Sequence, residues 1–177
     1  MTNIVRGFWA SAYCNDDFLY IETVSGYRGG THADPKGKQY FLRPDESEEK
    51  IGAAIIDSLE KSRWVLAVPR EGSEYPETVE FDPDLYDYEK SMERYNLWVK
   101  DILIKYNYKN KRALFKKMKY CFIKKKDGLI TINPTHHVKL EAWEGVRMDD
   151  HRLVKIPDNS SNAEVGKALK VAFSHCT

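Results

Sequence analysis

Apolar and polar residues along the chain form short runs typical of strands, separated by turns. Runs rich in β-branched and aromatic residues predict strands at 4–13, 18–24, 38–43, 63–68, 120–126, 129–133, 138–143 and 153–157. The hairpin at 120–133 is the strongest of these signals, because Asp127-Gly128 suits the type I′ turn that joins antiparallel strands. The glycine- and proline-containing stretches 25–30 and 33–38 predict turns, and 69–81 predicts a polar, acidic loop.

Apolar positions spaced three and four residues apart predict four helices. One follows Asp45 and has Ser47 as its N-cap. The longest is capped by Asp82 and carries a continuous apolar stripe of Leu85, Tyr88, Met92, Tyr95, Val99, Ile102 and Tyr106. A third helix begins near Asn110, and the last runs from about 161 to 174. The stripe predicts that Tyr88 packs in the core.

Two segments of the chain share the same sequence pattern. Residues 41–60 and 154–174 each read as a strand, a proline-containing turn and a capped helix, and each helix holds a glycine, Gly52 or Gly166. Glycine costs a helix about 1 kcal/mol relative to alanine, so the two glycines indicate a close approach to the sheet or to the other helix. A coincidence between two ordinary capped helices is the alternative. We predict a single α+β domain over 1–177, with about four helices packed on a mainly antiparallel sheet.

Composition places the chain among compact globular proteins. It has 177 residues, of which 42% are hydrophobic and 12% aromatic, which argues against disorder. No apolar run approaches the roughly 20 residues that span a bilayer, and the first residues lack the pattern of a secretion signal. Three cysteines without C-x-x-C spacing fit a reducing compartment. We therefore expect a cytoplasmic protein that does not contact membranes.

The formal net charge of +1 hides two opposed segments. Residues 71–93 hold nine acidic residues and one lysine, whereas residues 100–126 hold eleven basic residues and one aspartate. A charged segment is usually a solvated surface, but acids interleaved with aromatic side chains are also typical of a protein interface. The candidate partner-binding residues are Glu71, Glu74, Tyr75, Glu77, Glu80, Asp82, Asp84, Tyr86 and Asp87. The basic region 105–126, with its tyrosines, leaves a nucleic-acid-binding module as an alternative.

No catalytic or metal-binding motif emerges from the residue spacing. His136 and His137 are adjacent, so in a strand their rings would point to opposite faces and could not easily share a metal. The sequence lacks a phosphate-binding glycine loop and a G-x-S-x-G nucleophile motif, and Cys121 reads as a core thiol. We expect no cofactor, no metal and no catalytic residue. An enzyme with a dispersed site around the two histidines remains the least favoured alternative.

Four stretches, taken together and in order, resemble the CdiI-type immunity proteins of contact-dependent growth inhibition (CDI) systems. They are FLRPDESEEKIGAAI from Phe41, YNYKNKRALFKKMKYC from Tyr106, ITINPTHHVKLEAWEG from Ile130 and KIPDNSSNAEVGKAL from Lys155. The likeness spans nearly the whole chain. Its motifs are structural in character, so it carries over no binding residues.

This resemblance implies a non-enzymatic cytoplasmic inhibitor. Its expected partner is the cognate CdiA C-terminal toxin domain, commonly a ribonuclease or other nuclease, held in a 1:1 heterodimer. Because a nuclease site is cationic, we expect the acidic surface at 71–89 to cover it, without direct contact to nucleic acid. The rival within the same function is binding through the basic helix pair 105–119 to an acidic toxin surface.

Overall fold

The computed structural model describes residues 4–177, which contain ten strands and five helices. The strands are β1 Phe8–Cys14, β2 Leu19–Tyr27, β3 Gly30–Ala33, β4 Gln39–Leu42, β5 Val65–Leu66, β6 Glu80–Phe81, β7 Lys119–Lys126, β8 Leu129–Lys139, β9 Ala142–Gly145 and β10 Val154–Pro157. The helices are α1 Glu48–Glu60, α2 Pro83–Tyr86, α3 Tyr88–Lys105, α4 Lys111–Phe115 and α5 Asn162–His175. The predicted α+β class is confirmed.

Eight strands form one antiparallel sheet in the order β10-β8-β7-β1-β2-β3, with β4 also paired to β2 and β9 also paired to β8. The predicted hairpin joins β7 to β8, and both of its turn residues, Asp127 and Gly128, have positive φ as a type I′ turn requires. The short strands β5 and β6 pair in parallel as a separate small sheet.

The sheet is built from two copies of one arrangement. In the first copy, β2 pairs through its first half with β4 and through its second half with β3, and α1 follows. In the second copy, β8 pairs in the same way with β10 and β9, and α5 follows. The copies meet at the centre, where β1 and β7 run antiparallel and Ser11 lies opposite Phe122. The similarity between residues 41–60 and 154–174 is therefore the last third of a larger ββββα repeat.

Helices α1 and α5 cross on one face of the sheet, and the two glycines lie at the crossing. A Cβ built on Gly52 would lie 1.7 Å from the carbonyl oxygen of Asn162, and one built on Gly166 would lie 1.9 Å from that of Glu48. Because each glycine lacks a side chain, the first turn of the other helix packs directly against it. The close approach that the glycines indicate is therefore between the two helices. The main core fills the space beneath them, and its buried members include Ala10, Ala12, Ile21, Ile55, Leu59, Ile123, Ile132, Leu169 and Phe173.

The opposite face of the sheet is only partly covered. Helices α3 and α4 pack there on an aromatic-rich cluster whose buried members are Phe18, Tyr20, Val99, Ile102, Leu114, Phe115 and Met118. The helix predicted to begin near Asn110 is thus confirmed, and Asn110 caps it by accepting a hydrogen bond from the Ala113 N–H. The remainder of this face stays open beside α3.

The long helix predicted from Asp82 to Tyr106 is wrong in two respects. Asp87 has extended backbone and separates α2 from α3, and it caps α3 by accepting a hydrogen bond from the Lys90 N–H at 2.9 Å. Asp82 makes no side-chain cap. Tyr88 is 76% exposed, because the break turns the first residues of α3 away from the sheet. The apolar stripe is buried at Leu85 in α2 and at Val99 and Ile102 in α3.

Smaller differences concern strand boundaries. The run 63–68 forms strand only at Val65–Leu66, and 138–143 is interrupted by the turn that separates β8 from β9. Strand β3 lies between the two predicted turns, β2 extends into the first of them, and β6 lies at the end of the predicted acidic loop. All of these are short elements whose pairing partners lie elsewhere in the fold, so local composition does not indicate them.

The cap of α5 gives a direct test of local stability. The Ser161 side chain accepts a hydrogen bond from the Glu164 N–H, and the Glu164 carboxylate accepts one from the Ser161 N–H at 2.7 Å. We expect Ser161→Ala to lower the free energy of unfolding by about 1 kcal/mol, because it leaves an N-terminal amide of the helix without a partner. Urea denaturation measures the loss, and Ser161→Asp should restore most of it. An unchanged midpoint for Ser161→Ala would contradict the assignment.

Candidate functional site

The acidic segment, residues 71–93, lies together on one side of the fold. It comprises an exposed loop, strand β6, helix α2 and the first turns of α3. The loop packs inward through Val79, which joins a small cluster with Trp9 and Trp64. The candidate residues therefore share one region, although their surroundings differ.

Three acidic side chains converge on Arg63. Its guanidinium contacts Asp34 at 2.7 Å, Asp82 at 3.0 Å and Glu80 at 3.1 Å, and Lys36 contacts Asp82 at 2.9 Å. Burial alone would raise the pKa of Asp34, but hydrogen bonds led by those from Arg63 hold it below its usual range. Glu80 and Asp82 thus belong to an ionic cluster that ties β6 and α2 to the sheet.

Other candidates also have structural partners. Asp84 contacts Lys90 at 2.6 Å. Tyr75 packs edge-on against Phe81, and its hydroxyl accepts a hydrogen bond from the Arg70 N–H. Tyr86 is half-buried and donates a hydrogen bond to the Val65 carbonyl.

The acidic residues left for a partner lie in the loop and at the start of α3, where Glu89 and Glu93 are exposed without an ion pair within residues 4–177. Glu71, Glu74 and Glu77 are exposed and make no ion pair within residues 4–177. Exposed apolar side chains also occur within this segment and next to it in the chain, namely Val68 and Phe81, with Tyr88 and Met92 at the start of α3. Exposed apolar side chains accompanied by negative charge are typical of a surface that binds a cationic protein.

The basic segment is divided between two places. Lys119 and Lys126 are the ends of β7, and an eight-residue strand separates its ends by about 23 Å. Two of the lysines near α4 are engaged, Lys111 with Glu141 and Lys117 with Asp16, each at 3.0 Å. The charge run in the sequence therefore does not form a single basic surface.

The adjacent histidines have separate partners. His136 Nδ1 lies 2.8 Å from the Thr177 hydroxyl, whereas His137 Nε2 lies 2.9 Å from the Leu140 carbonyl and its ring stacks on Trp143. Within residues 4–177, no group of three or more His, Cys, Asp or Glu side chains could hold a metal ion. In the same range, no helix is both long and apolar enough to cross a membrane.

Comparison with known proteins decides the family. The CdiI family model, described as CDI immunity protein, matches residues 8–176. The chain belongs to the CDI immunity protein family. Immunity protein CdiI-YPIII from Yersinia pseudotuberculosis serotype O:3 is 43% identical over 176 residues, 99% of each chain.

Two solved structures match this CDI immunity protein over nearly its full length. One is a CdiA-CT/CdiI toxin and immunity complex from Yersinia pseudotuberculosis, with a TM-score of 0.93 and 43% identity over 99% of this chain and 100% of that one. The other is NMB0488, a protein of unknown function from Neisseria meningitidis, with a TM-score of 0.82 and 33% identity. That match covers 100% of this chain and 99% of the other. The family resemblance inferred from the four sequence stretches is confirmed.

Two charged residues of this CDI immunity protein escaped the sequence analysis. Arg63 organises the ionic cluster, and Glu22 lies on the open face of the sheet, where it lines a cavity. The partners of Arg63 are distant in the chain, and Glu22 is one polar residue in an otherwise ordinary strand pattern. Neither position carries a spacing signal, so only the fold reveals them.

Proposed function

We propose that this protein protects its cell by binding the C-terminal toxin domain of a cognate CdiA effector in a 1:1 complex in the cytoplasm. The observation that carries the proposal is the near-complete match to a toxin and immunity complex, at 43% identity and a TM-score of 0.93. In this proposal the protein inhibits the toxin by binding to it and catalyses no reaction.

We further propose that the toxin is a nuclease and that the acidic segment covers its active site. A site that holds phosphates is cationic, so exposed carboxylates can replace the substrate there. Glu71, Glu74 and Glu77 support this role because they are exposed, and their charges are not neutralised by neighbours within residues 4–177. Phe81 and Tyr88 would supply apolar contact beside them.

Charge reversal in the loop tests which surface binds. We expect the triple variant Glu71→Lys, Glu74→Lys and Glu77→Lys to slow association with the cognate toxin by about tenfold or more at low salt, because steering depends on complementary charge. The difference in association rate between variant and wild type should decrease as the salt concentration rises, because salt screens the charges. Stopped-flow or surface plasmon resonance kinetics measure it, alongside nuclease inhibition. These three residues make no ion pair within residues 4–177, so folding should be preserved.

The matched control reverses three exposed basic residues near α4, Lys109→Glu, Arg112→Glu and Lys116→Glu. Under this proposal it leaves association unchanged or slightly faster. Slower association of the control with an unaffected acidic variant would move the interface to the basic region. Absence of any complex with the wild-type protein would overturn the toxin-binding proposal itself.

A further inference from the structure

A cavity of about 440 Å³ lies between the open face of the sheet and helix α3. Its walls come from strands β1, β2, β3 and β4 and from α3, and they carry several aromatic side chains. The aromatic lining residues are Tyr13, Tyr20, Phe41, Tyr95 and Trp98. Its charged and titratable lining residues besides the tyrosines are Glu22, His32, Asp34, Arg94 and Asp101.

Glu22 has hydrogen-bond donors in this cavity but no cation. Its carboxylate accepts hydrogen bonds from the Tyr20 hydroxyl at 3.0 Å and the Ser11 hydroxyl at 3.3 Å. No basic group within residues 4–177 lies within 4.0 Å of it. Burial raises the pKa of Glu22 to about 7, against the lowering effect of the two hydroxyl groups. A carboxylate in these surroundings gains from an added positive charge.

Most of the other charged groups at the cavity are already engaged, and Asp101 is exposed at its rim on α3. Asp34 belongs to the Arg63 cluster, and the Arg94 guanidinium donates to the Ser91 hydroxyl at 3.1 Å and the Asp84 carbonyl at 3.3 Å. His32 packs edge-on against Tyr86. Glu22 is therefore the carboxylate that is desolvated in the cavity and has no cationic partner within residues 4–177.

The repeat shows that this arrangement is particular to one half of the fold. Since Ser11 faces Glu22 on β2 and Phe122 faces Asn133 on β8, Asn133 is the counterpart of Glu22 in the second repeat. Asn133 is satisfied internally, because its side chain both donates to and accepts from the backbone of Val146, at 3.0 and 2.9 Å. The first repeat places a carboxylate at the same point and gives it no such backbone partner within residues 4–177.

Trp98 supplies a second incomplete interaction at the cavity. Its ring lies 5.2 Å from that of Tyr20 and 5.3 Å from that of Tyr13, and its Nε1–H is buried without an acceptor in residues 4–177. A buried N–H without a partner is destabilising, and an incoming carbonyl oxygen would supply the missing acceptor. The site thus lacks both a cation and a hydrogen-bond acceptor.

We propose that this cavity receives one arginine or lysine residue of the toxin, with Glu22 as its charge partner and the aromatic side chains as its walls. Aromatic faces attract cations, and a desolvated carboxylate pairs with them strongly. An inserted residue brings the two missing chemistries together, a cationic head group for Glu22 and a main-chain carbonyl for the Trp98 indole. The proposal rests on toxin binding as the function, and the cavity adjoins the acidic segment through Asp34, which shares Arg63 with Glu80 and Asp82.

The cavity can be tested without the toxin. The probe is N-acetyl-arginine-N-methylamide at millimolar concentration, and the readout is the indole N–H signal of Trp98 in a ¹H–¹⁵N spectrum, assigned with Trp98→Phe. We expect this signal to shift with the arginine probe and to stay in place with the citrulline analogue, which is neutral and similar in shape. The response should be lost in Glu22→Gln and retained in the control Glu60→Gln, on the exposed end of α1. Equal responses to both probes, or a full response in Glu22→Gln, would refute the proposal.

The toxin complex provides the second arm. We expect Glu22→Gln to weaken toxin binding by about tenfold or more, mainly through faster dissociation, whereas Glu60→Gln leaves it unchanged. Glu22→Gln should fold at least as stably as the wild type, since glutamine keeps the hydrogen-bonding oxygen and removes a buried charge. Tight wild-type binding with an unaffected Glu22→Gln complex would reject this pocket and leave the proposed function standing. If the wild type fails to bind the toxin, the proposed function fails, and the probe titration still decides the cavity.

Discussion

Replacing Gly52 with alanine is expected to lower the free energy of unfolding by about 3 kcal/mol. On an isolated helix this change would stabilise by about 1 kcal/mol, because alanine is the better helix former. Here the added methyl carbon would lie 1.7 Å from the Asn162 carbonyl oxygen, which belongs to the backbone of α5 and cannot rotate away. The helices must move apart, and the core beneath both of them loosens. Gly166→Ala should cost a similar amount, because the contact is repeated in the other direction.

Urea denaturation of the single and double variants measures these costs. Once the first methyl group has separated the helices, the second meets less resistance, so the double variant should lose less than the sum of the two single losses. Gly29→Ala is the matched control, since an added carbon there meets nothing within 4 Å and its expected effect is about 0.5 kcal/mol or less. A Gly52→Ala protein as stable as the wild type would show that the helix crossing is less tight than described.

Removing Arg63 is expected to have the largest effect on stability of any single charge change. The side chain of Asp34 is fully buried, and Arg63 is its cationic partner at 2.7 Å. Arg63→Met therefore leaves a buried carboxylate uncompensated, which costs about 3–5 kcal/mol at neutral pH. Adding Asp34→Asn removes the stranded charge, so the double variant should recover part of the loss.

The pH dependence gives the same prediction a second readout. The folded-state pKa of Asp34 lies below its usual value, so its contribution to stability is present above about pH 4 and is lost as the pH falls through the folded pKa. Arg63→Met lacks this contribution. The stability difference between wild type and variant should therefore be large at pH 7 and shrink in acid, which denaturant titrations at several pH values can measure. A difference that stays constant with pH would mean that Asp34 is not the group responsible.

Local sequence patterns correctly predicted the structural features that are determined by residues close together in the chain. Ser47 caps α1 as expected, Asp127-Gly128 forms the hairpin turn, and Cys121 is buried in the core with a raised pKa. The same reasoning failed at Asp87, where one continuous periodicity concealed a break between two helices. Periodicity reports which face could be apolar, but it does not report whether a partner surface covers that face, as the exposed Tyr88 shows.

The candidate site was predicted less completely for a related reason. The acidic residues were visible as composition, yet composition could not distinguish Glu80 and Asp82, which neutralise Arg63, from Glu71 and Glu77, which remain exposed. Glu22 was invisible because its significance comes from side chains on β1 and α3 that the fold brings around it. Burial and ion pairing depend on which residues meet in the folded protein, and a single sequence does not show which residues those are.

The central pairing of β1 with β7 has a consequence for the protein during synthesis. When the first repeat leaves the ribosome, one edge of β1 has no partner and the glycine face of α1 has no helix to cross, because both partners belong to the second repeat. An unpaired strand edge readily joins other chains. The nascent first half should therefore depend on prompt completion or on chaperones, and a truncated product would be prone to aggregation rather than partly protective. Protection would begin only when translation is almost finished.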